Sequence, residues 1–185
     1  MKYLKTYLES FNSPLLSLSD NIDYELIDII EKNFDKGSSI LEISCGNAAD
    51  SLHLKELGYN VKCTELDDNY VSNAKDLGLD CIKHDTKNKF PFSDNQFDLI
   101  YSRLGLHYFT ESELDSILSE LSRIGSSILI TVKVEEDDFK TGKIIISPEK
   151  WKKLIDKYFN IEIFNIKEGA LYNKPSKWIE ILGKK

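Results

Sequence analysis

Three carboxylates, each tied to an apolar stretch, and a polar group after a fourth such stretch are the residues here that could do chemistry. Glu42 stands in the apolar run Ile40 to Ile43, just before the turn Ser44-Cys45-Gly46-Asn47. Glu65 closes a second stretch, Asn60 to Glu65, roughly 20 residues beyond that glycine. Asp85, followed by Thr86, comes after a third stretch, Leu79 to Lys83. An acid at that distance past a tight turn can accept hydrogen bonds from the two hydroxyls of a ribose. Gly46 has no Cβ, so the backbone there can bend sharply and let a ligand approach. Arg103, His107 and Tyr108 form the second group: a fixed cation, a side chain titrating near neutral pH and an aromatic hydroxyl. Each has an ordinary alternative, a structural ion pair for Arg103 and simple packing for His107.

The elements that must position these residues follow from periodicity. Ile40 to Ile43 reads as a strand buried on both faces, as in the middle of a parallel sheet. The spacing predicts a helix from about Ala48 to Leu57, stopped at Gly58, and then the strand that ends on Glu65. Asp67 or Asp68 caps a helix carrying Val71, Ala74 and Leu77. Upstream, Ile22, Leu26, Ile29, Ile30 and Phe34 recur at helical spacing, and Met1 to Leu8 reads as a short amphipathic helix that could cover a pocket. Downstream come a strand at Phe97 to Ser102, a capping box at Thr110-Glu-Ser-Glu113, and a fifth strand at Ser127 to Val132. Lys133 to Gly142 reads as a charged connection or a lid. Ser147-Pro148 opens a further helix, and Ile161 to Ile166 and Lys177 to Leu182 alternate as closing strands. Strand, turn, helix, strand and acid in that order are the layout of a dinucleotide-type site. Ser44, Gly46 and Ala48 supply less glycine than a pyrophosphate cradle needs, which argues against NAD or FAD.

Glu42-Ile-Ser-Cys-Gly-Asn-Ala resembles the first motif of class I S-adenosylmethionine (SAM) methyltransferases, with Ser44 and Ala48 in place of its first and third glycines. Phe90-Pro-Phe-Ser-Asp-Asn-Gln-Phe-Asp-Leu-Ile is similar to the passage before the fourth strand in many small-molecule members, and Ser51-Leu-His-Leu-Lys-Glu-Leu-Gly-Tyr to compact members of the tellurite-resistance type. The resemblance covers nearly the whole chain. It implies SAM as cofactor, S-adenosylhomocysteine (SAH) as product, and cofactor contacts at Glu42, Ser44, Gly46, Glu65, Leu66, Asp85, Thr86 and Ser102. Asp85 would meet the adenine amino group and Thr86 a ring nitrogen. Arg103, His107 and Tyr108 fall on the substrate side. Ser102-Arg-Leu-Gly lacks the Asn/Asp-Pro-Pro-aromatic tetrad of enzymes that methylate exocyclic base nitrogens, which disfavours that chemistry, and the likeness to small-molecule members implies a small-molecule acceptor.

The 185 residues are expected to form one domain, an α/β Rossmann-like sandwich. Its seven-stranded, mostly parallel sheet would end on an antiparallel strand and carry helices on both faces, with residues 1–20 as a helical cap segment and 21–185 as the core. A net charge of −7 argues against a general nucleic-acid binder. Cys45, Cys63 and Cys81 have neither the even count of a disulfide framework nor the paired spacing of a zinc site, and read as reduced core thiols. The three histidines share no metal-ligand spacing. With no signal-peptide core and no membrane-length apolar run, a soluble cytoplasmic protein, monomer or homodimer, is expected. Two other readings stand beside the small-molecule enzyme: a binding or scaffold protein that keeps the fold with weak turnover, and an RNA or protein methyltransferase working with a partner.

Overall fold

The computed structural model describes residues 22–136, 145–171 and 174–185. The expected helix at Met1 to Leu8 and most of the charged connection after residue 136 lie outside them. In chain order the elements are α1 (Tyr24–Asn33), β1 (Ser39–Ile43), α2 (Ala49–Glu56), β2 (Asn60–Glu65), α3 (Asp68–Asp76), β3 (Asp80–Lys83) and β4 (Leu99–Arg103). A single 3-10 turn (Leu106–Tyr108) leads to α4 (Glu111–Ile124), β5 (Ser127–Glu136), α5 (Pro148–Asp156), β6 (Asn160–Leu171) and β7 (Lys174–Lys184).

The seven strands form a sheet in the order β3-β2-β1-β4-β5-β7-β6. The first five are mutually parallel, and β7 runs antiparallel to both β5 and β6. Side-chain alternation divides the core. Ile40 faces Leu26, Ile27 and Ile30 of α1 and Leu54 of α2. Leu41 and Ile43 face the opposite way, with Leu114, Leu118 and Leu121 of α4 and Trp151 of α5. Helices therefore cover both faces, which is why β1 carries apolar residues at consecutive positions. Side chains fix the helix starts. Asp23 and Asp67 accept backbone N–H groups at α1 and α3, Thr110 and Glu113 close a capping box on α4, and Ser147 precedes proline on α5.

Several boundaries differ from the sequence expectation, and β4 runs from Leu99 to Arg103 where Phe97 to Ser102 was expected. β5 does not stop at Val132 but continues through Lys133 to Glu136, because β7 pairs alongside it as far as Ser176. The charges of Lys133, Glu135 and Glu136 disguised this extension, although Lys133 is buried. Both hairpin strands are likewise longer than the alternating stretches alone indicated.

The strand order reverses between β1 and β4, whose carboxyl-end loops leave in different directions. Open α/β sheets bind ligands at this point. A cavity of about 360 Å³ lies at the other edge, against Ser39, Asn60 and Asp80 at the strand starts. Among the described residues no helix is long and apolar enough to cross a membrane.

Candidate active site

The loop after β1 holds three residues with positive φ: Ser44 at 55°, Gly46 at 54° and Ala48 at 58°. The two that carry a Cβ store roughly 1–2 kcal/mol of strain each. Neighbouring contacts hold the shape. Cys45 N–H donates to the Thr64 carbonyl at 3.1 Å, and Ala48 N–H to the Cys45 carbonyl at 2.9 Å. Glu65 completes the support, its Oε2 accepting the Gly46 N–H at 2.9 Å and its Oε1 the N–H groups of Leu66 at 2.6 Å and Asp67 at 3.2 Å. Burial raises the Glu65 carboxyl above its ordinary range, and those N–H groups pull it back. Three of the roughly four lone-pair directions of this carboxylate are thus in use, so a ribose hydroxyl would have to share or replace one.

Two further loops meet the first. After β3, Thr86 is buried with its hydroxyl 3.3 Å from that of Ser44. Asp85 accepts the Lys87 N–H at 3.0 Å in a local turn, so its carboxylate is engaged within its own loop. After β4, Leu104 takes a φ of 56°, and Gly105 follows directly against the first loop. A Cβ on Gly105 would lie 2.9 Å from both Ser44 Cβ and Ser102 Oγ. Ser102 Oγ is buried and, among the described residues, has no hydrogen-bond partner. Leu66, beside Glu65, exposes 42% of its surface. Gly105→Ala should therefore push the two loops apart and cost about 1–3 kcal/mol, seen as a lower thermal midpoint; an unchanged midpoint would contradict this close packing.

The substrate-side candidates sit on the β4 loop. Arg103 ends the strand, and its Nε donates to Asp50 Oδ2 at 2.8 Å. His107 is buried in the 3-10 turn, its ring centroid 4.6 Å from that of Tyr108. Glu42 lies apart from the loop contacts, receiving the Ser51 hydroxyl at 2.5 Å.

Sequence reasoning missed the group linking Glu42 to Arg103. Asp50, buried in the first turn of α2, accepts from Tyr101 Oη at 2.8 Å, Arg103 Nε at 2.8 Å and Asp23 N–H at 3.0 Å. The available signal was two polar residues, Asp50 and Ser51, on a short helix directly after the turn. Burial raises the Asp50 carboxyl and Arg103 draws it down. Burial followed by the charge of Asp50 pushes Glu42 up to about 8, with Ser51 and Arg103 opposing. Glu42 is therefore largely protonated at neutral pH.

A pH dependence follows. Between its ordinary 4.5 and about 8 the folded state holds a proton on Glu42 that the unfolded chain releases. The contribution of Glu42 to stability is thus greatest on the acid side, declines as pH rises through that window, and has gone above it. Urea unfolding at pH 6 and pH 9 should show wild-type stability falling with pH and Glu42→Gln falling less. Equal slopes would mean that Glu42 is ionised throughout.

The three cysteines are free and buried, as expected, and their Sγ atoms also lie within 4.8 Å of one another. The clue was an equal spacing of 18 residues between successive cysteines, matching the strand–helix–strand repeat that sets Cys63 directly beside Cys81 across β2 and β3.

Residues 41–127, from β1 to the start of β5, match a family described as a methyltransferase domain. A malonyl-[acyl-carrier protein] O-methyltransferase of Erwinia billingiae is 32% identical over 92 residues, which are 49% of this chain and 36% of that protein. The chain spans less than half the length of the curated relatives it matches. Among solved structures, TehB from Haemophilus influenzae superposes with a TM-score of 0.74 at 17% identity, covering 97% of this chain and 65% of that one. The magnesium protoporphyrin IX methyltransferase of Synechocystis with bound SAH gives 0.75 at 10% identity, covering 98% and 94%. At these identities the likeness is one of fold.

Proposed function

We propose that the protein transfers a methyl group from SAM to a small-molecule acceptor, a reading supported by the match of residues 41–127 to a family described as a methyltransferase domain. One observation carries this reading: Gly46 with Glu65, Ser44 with Thr86, and the unpartnered Ser102 Oγ converge where the strand order reverses. Their donor and acceptor chemistry fits the cofactor. Glu65 would take the ribose hydroxyls, exchanging a backbone contact for them. Leu66 offers an exposed apolar side chain to the flat adenine, and Thr86 and Asp85 lie on the loop that would meet its polar edge. Ser102 Oγ has the hydrogen-bond capacity to reach a polar group of the amino-acid portion.

Bound SAM supplies an electrophilic methyl on a sulfonium, which an acceptor can attack in line. What the chain contributes is placement. Holding two reacting groups at attack distance can be worth roughly 7–11 kcal/mol. Arg103, fixed by Asp50, presents a charged guanidinium at the end of β4 in one orientation, suited to positioning an acceptor. His107 and Tyr108 follow on the same loop, the buried His107 ring packed against Tyr108. The acidic net charge and the segment Ser102-Arg-Leu-Gly favour a small acceptor over nucleic acid.

The test is SAH release in the presence of SAM and either a panel of small hydroxyl, amine, carboxyl and thiol acceptors, or bulk RNA and protein. Turnover confined to small acceptors is expected. Turnover on RNA or protein alone would overturn the acceptor class, and SAH binding with no turnover on any panel would favour the scaffold reading.

A further inference from the structure

The three cysteines meet beneath the loop that carries Gly46, and none of them has a part in the proposed methyl transfer. Cys45 stands inside that loop, Cys63 is on β2 and Cys81 on β3. Each comes from a different element, yet their sulfurs converge to within 4.8 Å. With metal–sulfur bonds of roughly 2.3 Å, a trigonal three-sulfur site has sulfurs roughly 4 Å apart, so a small inward movement would complete one. Register holds two of the three in place, because Cys63 and Cys81 are direct neighbours across parallel strands. The hydrogen bond from Cys45 N–H to the Thr64 carbonyl fastens the third to β2.

The surroundings narrow the ligand. Ala48, Val71, Ala74 and Leu79 enclose the sulfurs with apolar side chains, and the cysteines are 7%, 1% and 1% exposed in chain order. Among the described residues no histidine or carboxylate joins the three sulfurs within that spacing. Structural zinc is almost always four-coordinate, whereas thiolate-only sets suit softer ions. We propose that Cys45, Cys63 and Cys81 form a three-coordinate site for a soft monovalent ion of the copper(I) type. The ion enters without a change of oxidation state, and each sulfur that binds as thiolate releases its proton to solvent. Because Cys45 lies between Ser44 and Gly46, loading would tether the cofactor loop to β2 and β3.

Anaerobic titration of the reduced, full-length protein with copper(I), in competition with a chromophoric copper(I) chelator, tests this directly. The expected result is one copper(I) per chain, three sulfur neighbours by X-ray absorption, and a higher thermal midpoint on loading. Cys45→Ser, Cys63→Ser and Cys81→Ser should each weaken binding at least 100-fold, with circular dichroism of each apo variant confirming its fold. Should one variant fail to fold, the X-ray absorption of the wild-type complex still decides. Binding that survives any single substitution, a two-sulfur or nitrogen/oxygen environment, tighter retention of zinc than of copper(I), or no binding would overturn the site. The readout is independent of SAM, so its failure leaves the methyl-transfer reading intact, and the reverse also holds.

Discussion

Asp50→Ala should lower stability by about 3–5 kcal/mol, the usual cost of removing one partner from a buried ion pair. For a domain of this size that is roughly 10 °C or more in the thermal midpoint. One carboxylate serves three donors from three parts of the chain: the Arg103 Nε, the Tyr101 hydroxyl and the Asp23 N–H. Losing it takes this shared acceptor from all three donors, and one of them is a charge that cannot be neutralised. The same network ties the segment entering α1, the first turn of α2 and the end of β4 together, so the damage would not stay local. Adding Arg103→Met to the alanine variant removes the cation that Asp50 faced and should recover part of the loss. If the single variant melts within a degree or two of wild type, Asp50 is not the keystone described here.

Glu65→Ala should weaken SAH binding by roughly 30- to 150-fold, or about 2–3 kcal/mol, the scale of hydrogen bonds to a charged group. Two effects act together. The variant loses the proposed acceptor for the ribose hydroxyls, and it also frees the Gly46 N–H, loosening a loop whose Ser44 and Ala48 already sit in a costly backbone region. Glu65→Gln separates them. Its amide oxygen can still accept from Gly46, but its NH2 then faces the Leu66 and Asp67 N–H groups, so the thermal midpoint should fall less than in the alanine variant while affinity still falls. Equal SAH affinity for wild type and both variants would remove Glu65 from the site.

Much of this was legible in the chain. The run Ile40 to Ile43, the caps at Asp67, Thr110 and Ser147, and the acid closing β2 are local signals, and each element formed where its signal stood. What escaped depends on contacts between distant residues. That Asp50 would gather Tyr101 and Arg103 requires knowing that α2 packs over the end of β4. That three cysteines would converge requires the register between β2 and β3. Lys133 was read as part of a solvated connection because its charge outweighed its place in an alternating strand, and only pairing with β7 makes its burial intelligible. Gly105 was seen only as part of a missing tetrad, whereas its lack of a Cβ lets two loops touch. The strained φ values of Ser44 and Ala48 show the backbone keeping a glycine-type turn at two positions where the resembled motif has glycine.

The most direct test of the central claim, that Gly46, Glu65 and their neighbouring loops hold an adenosine, is calorimetric titration of SAH and SAM into the wild-type protein. Saturable binding of one equivalent per chain is predicted, weakened in Glu65→Ala. No heat of binding at millimolar cofactor, with the protein folded, would contradict it.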